Sequence, residues 1–321
     1  VRGAGGTLPR GYAELNVYTR IIVDEAHERG IAVDIFDAAR GGLALTYGGR
    51  TVRTLESLSE LTSAVAFRIC DDKLQTRRVL ERAGIAVPPG RCATFDDADL
   101  DFLAEHRDVV VKPVRGEQGW GVTVGVTSAE ELERARAEAS RYCPDVLLEL
   151  RCPGDDLRVV VIADEVVAAS VRRPAQVVGT GSHTIEELVK EESRAREAAT
   201  GGASTIPLDH TTRGVVASAG YRLDDVLENG VALAVRRTAN LHTGGTIHDI
   251  TDDLHPALAA AAVEVAQAIG IPVVGVDLVV PAVDLPDHVV IEANEQPGLA
   301  NHEPRPTAAR FIDLLFPETA G

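Results

Sequence analysis

The stretch from Gly275 to Gly298 constrains this chain more than any other. It reads GVDLVV, a turn PAVDLPD, then HVVIEANEQPG. Two β-rich apolar runs around a Pro/Asp turn predict an antiparallel hairpin. Asp277 interrupts the first run, while Glu292 and Asn294 take alternate positions of the second and therefore share a face. A carboxylate in an apolar strand is costly unless it is paired or sits on a cation. Three oxygen donors gathered on neighbouring strands suit Mg²⁺. The same acids also fit a sheet edge where backbone groups or an arginine cap them.

At 321 residues the chain is long enough for two domains or one multi-lobed unit with a substantial core. Its net charge is −17 with no basic block, which argues against nucleic acid as a partner. No apolar run approaches the roughly 20 residues of a membrane span, and no secretory leader opens the chain. Methionine is absent even at position 1, where Val1 is either an alternative start codon translated literally or the cut end of a longer chain. Cys70, Cys92, Cys143 and Cys152 show no CxxC spacing, so reduced thiols and a cytoplasmic location are expected. Arginine carries nearly all the positive charge; the only lysines are Lys73, Lys112 and Lys190. An ammonium is a compact point charge suited to a phosphate oxygen, so a lysine inside an apolar strand asks for an explanation beyond chance.

Along the chain, residues 1–70 offer a helix from Tyr12 to Arg29, a strand at 32–36, a hairpin at 43–46 and 50–53, and a helix over SLSELTSAVAF. They read as a truncated lobe, too small to stand alone. Asp71-Asp72 then cap a helix that carries Lys73 and stops at Gly84. DVVVKPV places Lys112 in a buried-type strand, and Ser128 with Glu131 forms a capping box for the next helix. VLLEL is another strand, and RVVVIADEVVAASVRR reads as two strands around Ala163-Asp164-Glu165. The polar 190–214 segment reads as a helix tail, capped back at Thr184, ending in a loop. Pro256 and Gly270 bracket an alanine-rich helix that delivers the chain to the hairpin.

Three further clusters bear on chemistry. RGEQGWGV sets Gly116, Gly119 and Gly121 between two strands, where backbone N–H groups could converge on an anion or simply make a hairpin turn. It is neither a P-loop nor a Rossmann fingerprint, because no GK[ST] is present and a strand follows. VLLELRCPGDDLR ends an apolar strand with acids, which serves a nucleoside or an ordinary strand–turn–strand equally well. ANLHTGGT puts Asn240 and two glycines after Arg236 and Arg237. His242, His248 and His255 match no usual zinc spacing. Lysines, a glycine loop and an oxygen-donor set together suit ATP-dependent phosphoryl transfer.

The order of these motifs (DDK, VVVKP, the glycine loop, the acid-ended strand, NLHTGG and D…EAN) resembles that of the ATP-grasp carboxylate–amine ligases. The likeness covers roughly residues 60–316. ESLSELTSAVAFRICDDK, VRRTANLHTGGTIHDITDDLHP and IEANEQPGLANHEPRPTAARFIDLLFP carry it toward the ligase portions of cyanophycin synthetases and, closer, N-acetylglutaminylglutamine synthetases. The resemblance implies an α/β (α+β) ATP-grasp fold with two lobes gripping ATP, after a short partial N-terminal segment. The implied domains are 1–70, a lid lobe 71–150 and a C-terminal lobe 151–321. It also implies that Lys73 and Lys112 contact phosphates under the Gly116, Gly119 and Gly121 loop. Glu149, Leu150 and Cys152 would line the adenine site, Leu150 and Cys152 through backbone atoms, and Asp156 would meet the ribose. Asp277, Glu292 and Asn294 would hold two Mg²⁺, with Mn²⁺ able to substitute. Arg237 and Asn240 would sit near the γ-phosphate and the acyl-phosphate, and the 297–304 turn would face the substrate.

The activity so implied joins a carboxylate to an amine with release of ADP, on amino-acid or acyl-amino-acid substrates, giving a short Gln/Glu-containing peptide such as N-acetylglutaminylglutamine, an osmoprotectant. N-acetylglutaminylglutamine synthetases carry an acetyltransferase domain ahead of the ligase, and cyanophycin synthetases a second, Mur-ligase-like half. Neither has room in these residues, so a separate acetyltransferase partner is expected, as is a homodimer. A ligase for another amino-acid pair, or a non-catalytic ATP-binding module, are the alternatives.

Overall fold

The computed structural model describes residues 8–117, 119–200, 202 and 204–320. Both compact units are assembled from discontinuous stretches. The first takes residues 1–88, 157–170 and 249–321, the second 89–156 and 171–248. The three consecutive spans 1–70, 71–150 and 151–321 therefore do not coincide with the compact units. The leading residues are the clearest departure. Ile22 and Val23 of the helix Val17–Glu28, with Leu43, Leu45 and Val52 of the adjoining sheet, share one core with Phe311, Ile312, Leu315 and Phe316. Segments separated by hundreds of residues close that core, so the leading segment shares the core of the first unit.

Local chemistry sets the helix starts. The Asn16 side chain accepts the Thr19 N–H at 2.9 Å, so the helix expected from Tyr12 begins at Val17, after a short 3₁₀ turn Tyr12–Glu14. Ser63 caps Ala64–Asp71, and Leu58–Ser59 ahead of it pairs with Thr54 and Leu55 as a strand. SLSEL is thus not helical: the Ser57 hydroxyl is tied to the Pro297 carbonyl at 2.7 Å. The strands Ala32–Asp37, Gly42–Tyr47, Arg50–Leu55 and Leu58–Ser59 form one sheet in chain order.

A five-stranded sheet runs Thr246–Asp249, Glu165–Arg173, Asp155–Ile162, Val273–Val280, Val289–Asn294. Ala163 and Asp164, at φ 52° and 63°, make the two-residue turn whose twist matches paired strands. The helix Pro256–Ile269 has proline first and Gly270, at φ 72°, just past its end, as its sequence predicts.

The second unit has a sheet ordered Gly90–Cys92, Val146–Leu150, Val109–Pro113, Thr123–Val126. Helices Asp97–His106 and Ala129–Ser140 cover it, burying Leu103, Val109, Val111, Leu132, Ala135 and Leu148. The capping box of Ser128 and Glu131 forms as expected. Residues 190–214 differ from the helix-tail-and-loop reading. The helix Ile185–Ala199 is followed by a second one, His210–Ser218, capped by Asp209. Ile185, Leu188, Val189, Ile206, Val216 and Leu233 form a core of their own. A nine-residue helix with so few apolar positions is held by that core more than by its own periodicity. No helix among the described residues is long and apolar enough to cross a membrane.

Candidate active site

In the first unit the hairpin pairs Asp277 directly with Glu292 and Gly275 with Asn294, with a bulge after Asp277. The bulge bends the strand where the acids stand. Asn294 Nδ2 donates to the Gly275 carbonyl at 3.2 Å and to Asp277 Oδ2 at 3.3 Å. Asp277 is buried, and Arg158 forks it: Nη2 donates to Oδ2 at 3.0 Å and Nε to Oδ1. Glu292 is met by Lys73, with Nζ 2.9 Å from Oε1. Lys73 opens the helix Lys73–Arg82, whose cap is Asp72, with its carboxylate accepting the Leu74 and Gln75 amides at 3.1 and 3.0 Å. Asp71 instead ends the preceding helix and pairs with Arg68 at 2.6 Å.

The donor set fits a hard divalent cation. Each carboxylate has more acceptor sites than one cation uses, and Asn294 turns its NH₂ to the sheet and so keeps its amide oxygen for an acceptor role. Among the described residues no group of three or more His, Cys, Asp or Glu is placed to hold a metal ion, so a cation here would need a further donor such as the Asn294 amide oxygen. His255 is used otherwise: its Nδ1 accepts the Ala257 N–H at 3.1 Å and caps the helix. Burial, then the charges of Glu295 and Glu292, push the Cys70 thiol up to about 12, so it stays protonated beside the acids.

In the second unit Lys112 and Glu149 are both buried, with Nζ 2.5 Å from Oε2. The strands that carry them pair antiparallel, with Lys112 opposite Leu147 and Val110 opposite Glu149. The glycine loop joins Val109–Pro113 to Thr123–Val126. Gly119 and Gly121 have φ 75° and 71°, and a Cβ at Gly121 would fall 2.6 Å from Tyr142, so glycine is required there. Gly116 also has positive φ, at 150°. Trp120 between them is exposed and stacks on Tyr142, with ring centroids 6.3 Å apart.

The Leu150 amide is spent on the Pro89 carbonyl at 2.8 Å, so that N–H serves the fold. Cys152 lies beyond the last ladder bond, from Arg151 N to Asp108 O at 3.1 Å. Asp156 is held by Arg172 through Nε at 3.0 Å and Nη2 at 2.6 Å. Arg237 Nη1 donates to the Val124 carbonyl at 2.8 Å, tying the stretch just ahead of NLHTGG to the strand after the glycine loop. Asn240 caps the turn Leu241–Thr243, accepting the His242 N–H at 2.9 Å, and a Cβ on Gly119 would lie 3.5 Å from its Nδ2. Arg236 is the buried arginine of the pair. It reaches Asp209 at 2.6 Å and so anchors the cap of the helix His210–Ser218.

Sequence reasoning missed Arg158 and Arg172. The first left a signal, an arginine in the middle of the apolar run DDLRVVVI, and the second lay in SVRR, where its role was not separable from that of its neighbour.

Two buried lysines that each meet a carboxylate, a glycine loop and an oxygen-donor hairpin are thus set on an α/β scaffold. A family model described as the ATP-grasp domain matches residues 70–298, and the chain belongs to that family. It is 36% identical over 326 residues to a cyanophycin synthetase of Geminocystis herdmanii, which aligns to 96% of this chain and 37% of the relative. A glutathione biosynthesis bifunctional protein of Clostridium perfringens is 30% identical, over 95% of this chain and 42% of that protein. The crystal structure of a bifunctional glutathione synthetase from Pasteurella multocida superposes with a TM-score of 0.68 at 28% identity, covering 96% of this chain and 45% of that one. The chain thus spans less than half the length of these relatives.

Proposed function

We propose that the chain is an ATP-dependent carboxylate–amine ligase, in which the γ-phosphate passes to a substrate carboxylate and an amine displaces phosphate from the acyl-phosphate. The observation that carries this reading is the disposition of lysine. Two of the chain's three lysines are buried, each against a carboxylate, in a protein that otherwise relies on arginine. Lys73 and Lys112 take ATP phosphate oxygens, and the Gly116, Gly119 and Gly121 loop covers them. Glu149, the Leu150 backbone and Cys152 line the base, and Asp156 meets the ribose. Asp277, Glu292 and Asn294 would hold two Mg²⁺, with Mn²⁺ able to replace them. The metal supplies charge neutralisation on the transferring phosphoryl group. Arg237 and Asn240 stabilise the transferring phosphate, in the manner of preorganised donors aimed at developing charge.

The product proposed is a short Gln/Glu-containing peptide, N-acetylglutaminylglutamine being the specific case, with acetylation by a separate protein. The likeness to cyanophycin synthetases favours a second reading, a ligase of different specificity such as one that extends acidic peptides. ADP release measured across pairs of amino acids, N-acetylated amino acids and short peptides, with products identified by mass, tests both. An acetylated glutamine dipeptide supports the first reading and a lengthened peptide the second. Nucleotide binding with no stimulation by any pair would mark a non-catalytic module.

Trp120 gives an independent check. It is the only tryptophan and is 59% exposed. Closure of the loop over Mg-ATP should withdraw it from water, so its emission is expected to shift to the blue and change in intensity. An unaltered spectrum at saturating nucleotide would overturn the role given to the loop.

A further inference from the structure

We propose that Lys73 and Arg158 make the acidic face of the hairpin select a metal–nucleotide complex over the bare metal ion. The inference rests on Asp277, Glu292 and Asn294 being the metal ligands, as assigned above. Its basis is a one-for-one matching of charge inside the first unit. Lys73 Nζ lies 2.9 Å from Glu292 Oε1, and Arg158 forks Asp277. Two cations and two carboxylates sum to zero. A bare dication must compete with both cations for these oxygens, with no phosphate to help offset its loss of water. A nucleoside triphosphate brings the missing charge. When its phosphates draw Lys73 away from Glu292, the carboxylate becomes available to the cation that travels with them.

The two cations are built differently. Lys73 meets Glu292 through an ammonium on a flexible stem, and the Glu292 side chain is partly open to solvent. Arg158 is fixed. It donates to both oxygens of Asp277, and its path is cleared by Gly275: a Cβ there would lie 3.0 Å from Arg158 Nη1 and 3.2 Å from its Cδ. Arg158 is therefore a positioning residue that keeps Asp277 aimed. Lys73 is the exchangeable cation, which yields Glu292 only when phosphate replaces it.

The test is a Mn²⁺ titration followed by electron paramagnetic resonance, on protein without nucleotide and then with a non-hydrolysable ATP analogue. Wild type is expected to bind Mn²⁺ weakly alone and much more tightly with the analogue. Lys73→Met should raise the nucleotide-free Mn²⁺ affinity on the order of tenfold. Lys73→Arg, which keeps a cation there, should leave it low. If Lys73→Met does not fold, Lys73→Gln makes the same comparison. An unchanged or lower nucleotide-free affinity in the uncharged variant overturns the inference, provided Glu292→Gln still weakens Mn²⁺ binding with the analogue. If Glu292→Gln has no effect on that binding, the metal assignment itself fails, and this inference with it.

Discussion

Glu292→Gln is expected to lower amino-acid-dependent ADP release by about 10²–10³-fold while leaving the fold in place. Glutamine keeps an oxygen for Lys73 Nζ, now 2.9 Å from Glu292 Oε1, so the lysine is not left without an acceptor. What disappears is the negative charge that a divalent cation needs from this strand. Alanine is the harsher substitution. It would remove the carboxylate beside a lysine that is only 9% exposed, adding a stability cost to the catalytic one. The comparison of the two variants separates these effects. Steady-state ADP release reports the chemistry, and a urea melt at constant m-value reports the fold. Near-normal turnover in Glu292→Gln would remove the hairpin from the reaction.

Asp99→Asn is expected to have the largest effect on stability, about 3–5 kcal/mol. Asp99 is fully buried in the second unit. Its carboxylate accepts from Arg136 Nη1 at 2.7 Å, from the Thr94 amide at 3.1 Å and from the Phe95 amide at 2.9 Å. Phe95 has φ 61°, a conformation a large side chain adopts only when held, and the Arg136 guanidinium lies over its ring at 5.2 Å. An asparagine turns an NH₂ toward at least one of these donors and leaves Arg136 uncompensated. Burial would raise the Asp99 pKa, but the Arg136 bond and the two amides outweigh it and hold the carboxyl below its usual range. A depressed carboxylate contributes its stability above the unfolded value of about 3.9 and loses it as pH falls through the lower folded value. Wild type and Asp99→Asn should therefore differ fully at neutral pH and converge in strong acid. A urea midpoint at pH 7 that barely moves would show that Arg136 and the amides find other partners.

Much of the frame was readable before any coordinates. The period-two pattern and the Pro/Asp turn determined the hairpin, while its bulge and the pairing of Asp277 with Glu292 came only with the structure. The capping box at Ser128, the Pro256 and Gly270 brackets and the glycine loop followed from local backbone chemistry, which acts over a few residues and leaves a mark in each. The helix His210–Ser218 left little mark, because a core supplied by distant residues holds it. The compact units were not readable either, since each is closed by segments far apart in the chain.

The chain by itself determined which residues bear charge in apolar strands: Lys112, Glu149, Asp277 and Glu292. Only the tertiary structure decided what each of them touches. Lys73 meets Glu292 across 219 positions of sequence and Arg158 meets Asp277 across 119. Burial makes such a pairing obligatory, but no local rule selects the partner, because the choice is made by strand order and by the room that Gly275 leaves beside the hairpin.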